Sequence, residues 1–190
     1  MRSSVSIPKL AIIVSGFLLM SCLLPGMIPL PDESAGPMPT MEKDADKVIE
    51  VLNTSEYIRL ETLAPEQYTE EDVSKPGRLT FTVELTEDKP VFFSYGWCTT
   101  TEEILKQNFE HINVSLYFND KELGSDVVHP LTFTRTDGLV CVDYGVLMSE
   151  WPAGKYKLNA AANFDEKIND GIADYEAGEY VFEYDVTVGE

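Results

Sequence analysis

The chain has 190 residues, 44% of them hydrophobic and 11% aromatic, and 33 acids against 14 lysines and arginines give it a formal charge of −19. That acid excess excludes a nucleic-acid binder, which needs a basic stripe to displace counterions, and the apolar content excludes a chain disordered throughout. The length fits one domain with or without a tail.

Met1 to Lys9 carries two cations, Arg2 and Lys9, and no acid, and Leu10 to Met20 (LAIIVSGFLLM) is an unbroken run of apolar and small residues. A positive start followed by a short apolar stretch is the pattern of an export signal, not of a core helix. The run ends in Leu19-Met20-Ser21-Cys22, which resembles the lipobox of bacterial lipoproteins. The resemblance implies cleavage after Ser21, a diacylglycerol on Cys22 and an added N-acyl chain, which together hold a protein stably on a bilayer. It places the protein at the cell membrane, lipid-anchored and facing the extracytoplasmic side. The residues alone leave two alternatives open, an uncleaved anchor over residues 10–30 and a soluble secreted product. Pro25, Gly26 and Pro29 disfavour a continuous helix there. Removal of residues 1–21 takes both of their cations, so the exported chain is more acidic still.

Residues 22–55 read as a tether. Pro29, Pro31, Pro37 and Pro39 favour an extended chain, and Val48, Ile49 and Leu52 within Asp44–Asn53 stand at the spacing of a short helix. A β-domain is expected over 56–190. Leu79, Phe81, Val83 and Leu85 alternate with polar residues, as in a half-buried strand. Val91, Phe93, Tyr95 and Trp97 form the next apolar face. Thr100 and Glu103 read as a capping box that opens one short helix. Ile112 to Phe118 alternates again and stops at Asn119-Asp120. Thr136-Asp137-Gly138 is a compact turn between Leu131–Arg135 and Leu139–Val146. Tyr156 to Phe164 and Tyr180 to Val188 supply the last two apolar faces. About seven or eight short strands without βαβ alternation predict an all-β fold, an antiparallel immunoglobulin-like β-sandwich with one short helix.

With Cys22 assigned to lipid, Cys98 and Cys141 remain, and an even pair in an exported domain reads as a disulfide. Such a bridge closes a loop of 43 residues, worth roughly 4 kcal/mol by chain-entropy arithmetic. Both cysteines have the less apolar parity of their strands, so the bridge is expected on an outer face near the 99–109 helix, not between two sheets. Tyr95-Gly96-Trp97-Cys98 followed by a capped helix is similar to a motif of bacterial lipoproteins with a single β-sandwich. The likeness spans residues 57–188 and carries no activity with it.

Candidate chemistry is sparse. Gly-x-Ser-x-Gly is absent, His111 begins a strand and His129 precedes Pro130 in a loop. The loop from Asp165 to Glu176 holds Asp165, Asn169, Asp170, Asp174 and Glu176 around Gly171, a set of hard oxygens that suits calcium. The same residues also serve turn geometry. Trp151, between Glu150 and Pro152, is a candidate binding aromatic. The function expected is that of a lipid-anchored surface module that binds or displays, with an unknown protein or carbohydrate as ligand. The alternatives are a surface hydrolase using carboxylates and a calcium-stabilised adhesion module.

Overall fold

The structure, a computed structural model, describes residues 37–189 apart from Ser55, Pro65, Glu66 and Glu87. The signal segment, Cys22 and most of the tether lie outside the described residues. In chain order the elements are β1 (Thr40–Met41), α1 (Ala45–Leu52), β2 (Ile58–Arg59), a 3-10 turn (Leu60–Leu63), α2 (Glu70–Val73), β3 (Gly77–Leu85), β4 (Val91–Thr99), α3 (Glu102–Asn108), β5 (Ile112–Phe118) and β6 (Lys121–Glu122). They continue with β7 (His129–Thr134), β8 (Val140–Ser149), β9 (Gly154–Phe164), β10 (Ile168–Asn169), β11 (Asp174–Tyr175) and β12 (Gly178–Val188).

Two five-stranded sheets form the sandwich. In the first, β8 pairs along one side with β4, and β2 pairs with the start of β4. The other side of β8 takes β7 against Val140–Gly145 and β1 against Met148–Ser149. The second runs β3–β12–β9–β5–β6. Period-two alternation puts Phe93, Tyr95 and Trp97 of β4 on the inner face, where they meet Tyr184, Phe182 and Phe164 at ring separations of 6.0, 6.3 and 5.3 Å. Each large side chain so buried contributes roughly 1.5–3 kcal/mol.

The all-β sandwich agrees with the expectation, but three details are corrected. Strands β3 and β12 pair in parallel over Gly77–Leu85, as do β2 and β4. Alternation reports which face is buried and not which way a neighbour runs. Helix α1 forms within Asp44–Asn53, where the spacing of Val48, Ile49 and Leu52 suggested one, whereas α2 is a helix that the sequence reading did not expect beside α3. The folded body also starts before the expected boundary at 56. Thr40 and Met41 pair with Ser149 and Met148, and α1, capped by Asp44, lays a fully buried Val48 against Phe92 and Leu147 on the outer face of the first sheet. Helix α3 is capped one residue later than expected, since the Thr101 side chain accepts from Ile104 N–H. No helix among the described residues is long and apolar enough to cross a membrane.

Candidate functional site: the groove along the edge of β4

Among the even-numbered residues of β4, Phe92, Ser94 and Cys98 point their side chains to the outer face of the first sheet, and Gly96 leaves a gap between them. Cys98 lies directly opposite Cys141 of β8, and the two form a disulfide with Cα atoms 4.0 Å apart. The bridge therefore joins neighbouring strands of one sheet, with Cys141 fully buried. It sits on the outer face, as its parity predicts. Arg135 Nη1 lies 4.0 Å from Cys98 Sγ.

Between Phe92 and the disulfide this face is cut down to small residues. A Cβ on Gly145 would stand 2.2 Å from Phe92 Cζ, and one on Gly96 would stand 2.5 Å from Asp143 Oδ1. Gly96 thus leaves room for a carboxylate lying on the sheet itself. Asp143 is buried at 5% exposure, and its Oδ2 accepts from Arg59 Nη2 at 2.6 Å. Arg59 Nη1 donates to Glu61 at 2.9 Å, and the guanidinium caps the Phe92 ring at 5.4 Å. Burial opposes the Arg59 charge, but the hydrogen bonds to Asp143 and Glu61 outweigh it and hold the group above its ordinary pKa.

The backbone along the same strand is open. Narrow antiparallel pairs such as Cys98–Cys141 turn their N–H and C=O groups away from each other. The even-numbered residues of β4 therefore aim both groups at the edge remote from β8. The ends of the strand agree. Ile58 N–H of β2 donates to Pro90 C=O at 2.9 Å, and Thr100 N–H donates to Asp170 C=O at 2.9 Å. Between these two clamps, Ser94, Gly96 and Cys98 have no backbone hydrogen bond on that edge among the described residues. The edge of β3 is treated differently. Its Thr80 N–H donates to Tyr68 Oη, and its C=O accepts from Tyr68 and Gln67.

The open edge of β4 runs along a groove of about 950 Å³. On its inner side are Tyr95, Phe182, Tyr184 and Tyr175, and on its outer side Asp143 and Arg135. Burial raises Tyr95 and Tyr184 above the ordinary phenol range. Burial, with the Asp170 carboxylate adding to it, pushes Tyr175 up to about 12. All three phenols are neutral near neutral pH. The rim is acidic, with Glu61, Glu70 and Glu71; Glu71 is paired with Lys75.

The far wall is the β10–β11 hairpin, the oxygen-rich loop of the sequence. Its candidate ligands have internal partners. Asp170 Oδ1 accepts from Ile172 and Ala173 N–H at 2.6 and 2.7 Å, and its Oδ2 accepts from Tyr175 Oη–H. Asn169 donates to Asp174 and accepts from Gly171 N–H. Lys167 bridges Asp174 and Glu176, and Asp165 meets His111 Nδ1 at 2.9 Å. Among the described residues no group of three or more histidine, cysteine or acidic side chains could hold a metal ion. Gly171, at φ +95°, closes the hairpin onto Thr100, whose Oγ1 would stand 1.9 Å from a Cβ there.

Trp151 lies elsewhere. It packs at the opposite end of β9 against Tyr156 and Phe118, half-buried, with Nε1 inaccessible and unpartnered. The ring of His111 lies at the surface between Asp165 and Glu166. His129 opens β7 instead of sitting in a loop, and its buried Nε2 has no partner. Neither ring bonds a serine, threonine or cysteine among the described residues. Sequence reading missed Arg59, Asp143 and Gly96. The available signal was Asp143 itself, an acid in the middle of the apolar strand Val140–Met148.

No family model matches the chain, and no curated protein matches it. Among solved structures it is similar to the one described as PbICP-C in complex with falcipain-2, at 11% identity and a TM-score of 0.36, over 70% of this chain and 99% of that one. A likeness of that size carries no argument about function.

Proposed function

We propose that this protein is an exported lipoprotein, held at a membrane through Cys22, that works as a binding module with the β4 groove as its contact surface. The groove supports the reading through one feature above all. Three consecutive outward-facing backbone positions, Ser94, Gly96 and Cys98, stand open beside an aromatic wall. The nearby Arg59–Asp143 pair is already neutralised. Such a surface offers apolar area and directional hydrogen bonds, which is what recognition requires. The export half rests on the positive start, the apolar run and Leu19-Met20-Ser21-Cys22.

Each half has its own test. Cys22→Ser is expected to abolish palmitate labelling and leave an unprocessed precursor; unchanged labelling and processing would remove the anchor from the proposal. For binding, a photoreactive phenylalanine analogue is placed at Ile172 on the groove rim, and another at Thr82 on the distant face of β3. In intact cells the first is expected to yield discrete crosslinked adducts and the second none. Equal or absent crosslinking at Ile172 would sink the binding reading.

A further inference from the structure

We infer that the groove takes an extended, cationic polypeptide segment, which adds as a strand to the open edge of β4. The inference rests on the binding reading above and names its mode and partner class.

An exposed strand edge is a template for any other chain, and folded proteins blunt such edges with lysine, proline, a bulge or a covering side chain. β3 follows that practice, with Tyr68 and Gln67 plugging Thr80. Over Phe93–Thr99, β4 does not. It contains no lysine and no proline, and no backbone hydrogen bond covers Ser94, Gly96 or Cys98 on that side among the described residues. The gap is also bounded. β2 ends the pairing at Phe92, and the Asp170 carbonyl takes Thr100. From Phe92 to Thr100 the strand spans about 26 Å at ~3.3 Å per residue, room for an added strand of about six residues. Successive side chains of an added strand alternate between its two faces. One set would contact Tyr95, Phe182 and Tyr184, and the other would lie over the trough at Ser94, Gly96 and Asp143.

Charge selects the occupant. The ionic residues lining the groove are Arg59 and Arg135 against Glu61, Glu70, Glu71, Asp143 and Asp170, an excess of acid on a chain that is itself at −19. Both arginines are engaged, Arg59 with Asp143 and Glu61, and Arg135 with Asp137. A basic segment gains from this field, an acidic one is repelled, and so is a second copy of this chain.

The probe is the capped hexapeptide Lys-Val-Lys-Val-Lys-Thr, titrated into the full chain held in detergent, with amide hydrogen exchange read residue by residue. Protection is expected at Ser94, Gly96 and Cys98. Replacing the lysines by glutamates is expected to weaken binding at least about tenfold at low salt, a difference that narrows at high salt as exposed charges are screened. Ser94→Pro, which removes one edge donor, is expected to cut binding about tenfold or more. A peptide N-methylated on alternate amides keeps the test independent of how that variant folds, and is expected not to bind. Three results would each overturn the inference: no binding at millimolar peptide, protection at another edge such as Ile112 and Val114 of β5, or a dimer that protects the β4 amides. Crosslinking at Ile172 with any of these leaves the binding reading standing and discards only strand addition.

Discussion

Asp143 shows how one residue depends on another far away in the chain. Its carboxylate is buried, lies over a glycine, and takes its hydrogen bond from Arg59, 84 residues earlier. Removing only the partner strands a buried charge, so Arg59→Ala is expected to cost about 3 kcal/mol. Removing both groups strands nothing, and Arg59→Ala with Asp143→Ala is expected to cost less than Arg59→Ala alone. Urea unfolding of the two variants measures this; a double variant less stable than Arg59→Ala alone would contradict the coupling. An acid inside an apolar strand was visible in the sequence, but its partner was not. Nothing in local spacing ties Arg59 in β2 to Asp143 in β8, because the two meet only across β4.

The β10–β11 hairpin makes the same point for an element. A concentration of aspartate, asparagine and glycine has either of two physical causes that look alike in a sequence, metal ligation or turn geometry. Asp170 spends both carboxylate oxygens on Ile172, Ala173 and Tyr175, and the hairpin then ends the free edge of β4 at Thr100. Gly171→Ala meets both a positive φ and a contact with Thr100, so it is expected to cost at least about 2 kcal/mol and to speed exchange of the Thr100 amide. Gly138→Ala also has a positive φ, +91°, but an open surrounding. It is expected to cost about 1 kcal/mol and leave Thr100 untouched. Equal effects in the two variants would refute the clamp. The helix cap lies on Thr101 and not on Thr100, whose amide donates to the hairpin.

At the scale of the whole molecule, alternation was enough to read a sandwich, its inward-facing aromatics and the outer-face disulfide. It could not give strand direction, so the parallel pairing of β3 with β12 was hidden. Proline-rich composition concealed that β1 and α1 belong to the body. The aromatic core has a consequence for alkaline pH. Tyr175 titrates at about 12 in the fold against an ordinary 10.0, and Tyr95 and Tyr184 are also raised. A raised pKa means the fold favours the neutral phenol. That stabilisation is complete below pH 10 and is lost as pH climbs through the folded values. Absorbance at 295 nm is expected to show fewer than the nine tyrosines ionising near pH 10 in the native protein, and all of them in guanidinium. A single native transition near pH 10 involving every tyrosine would contradict the packing.

Both ends of the described chain leave from one pole. The Pro37 carbonyl accepts from Tyr156 Oη–H, and Val188 pairs with Gly154, both at the start of β9. The hairpin that walls the groove follows the end of β9, at the other pole. A fluorescent protein or a bead joined after Gly189 therefore starts from the pole where residue 37 enters the body, and leaves the hairpin pole and its groove free.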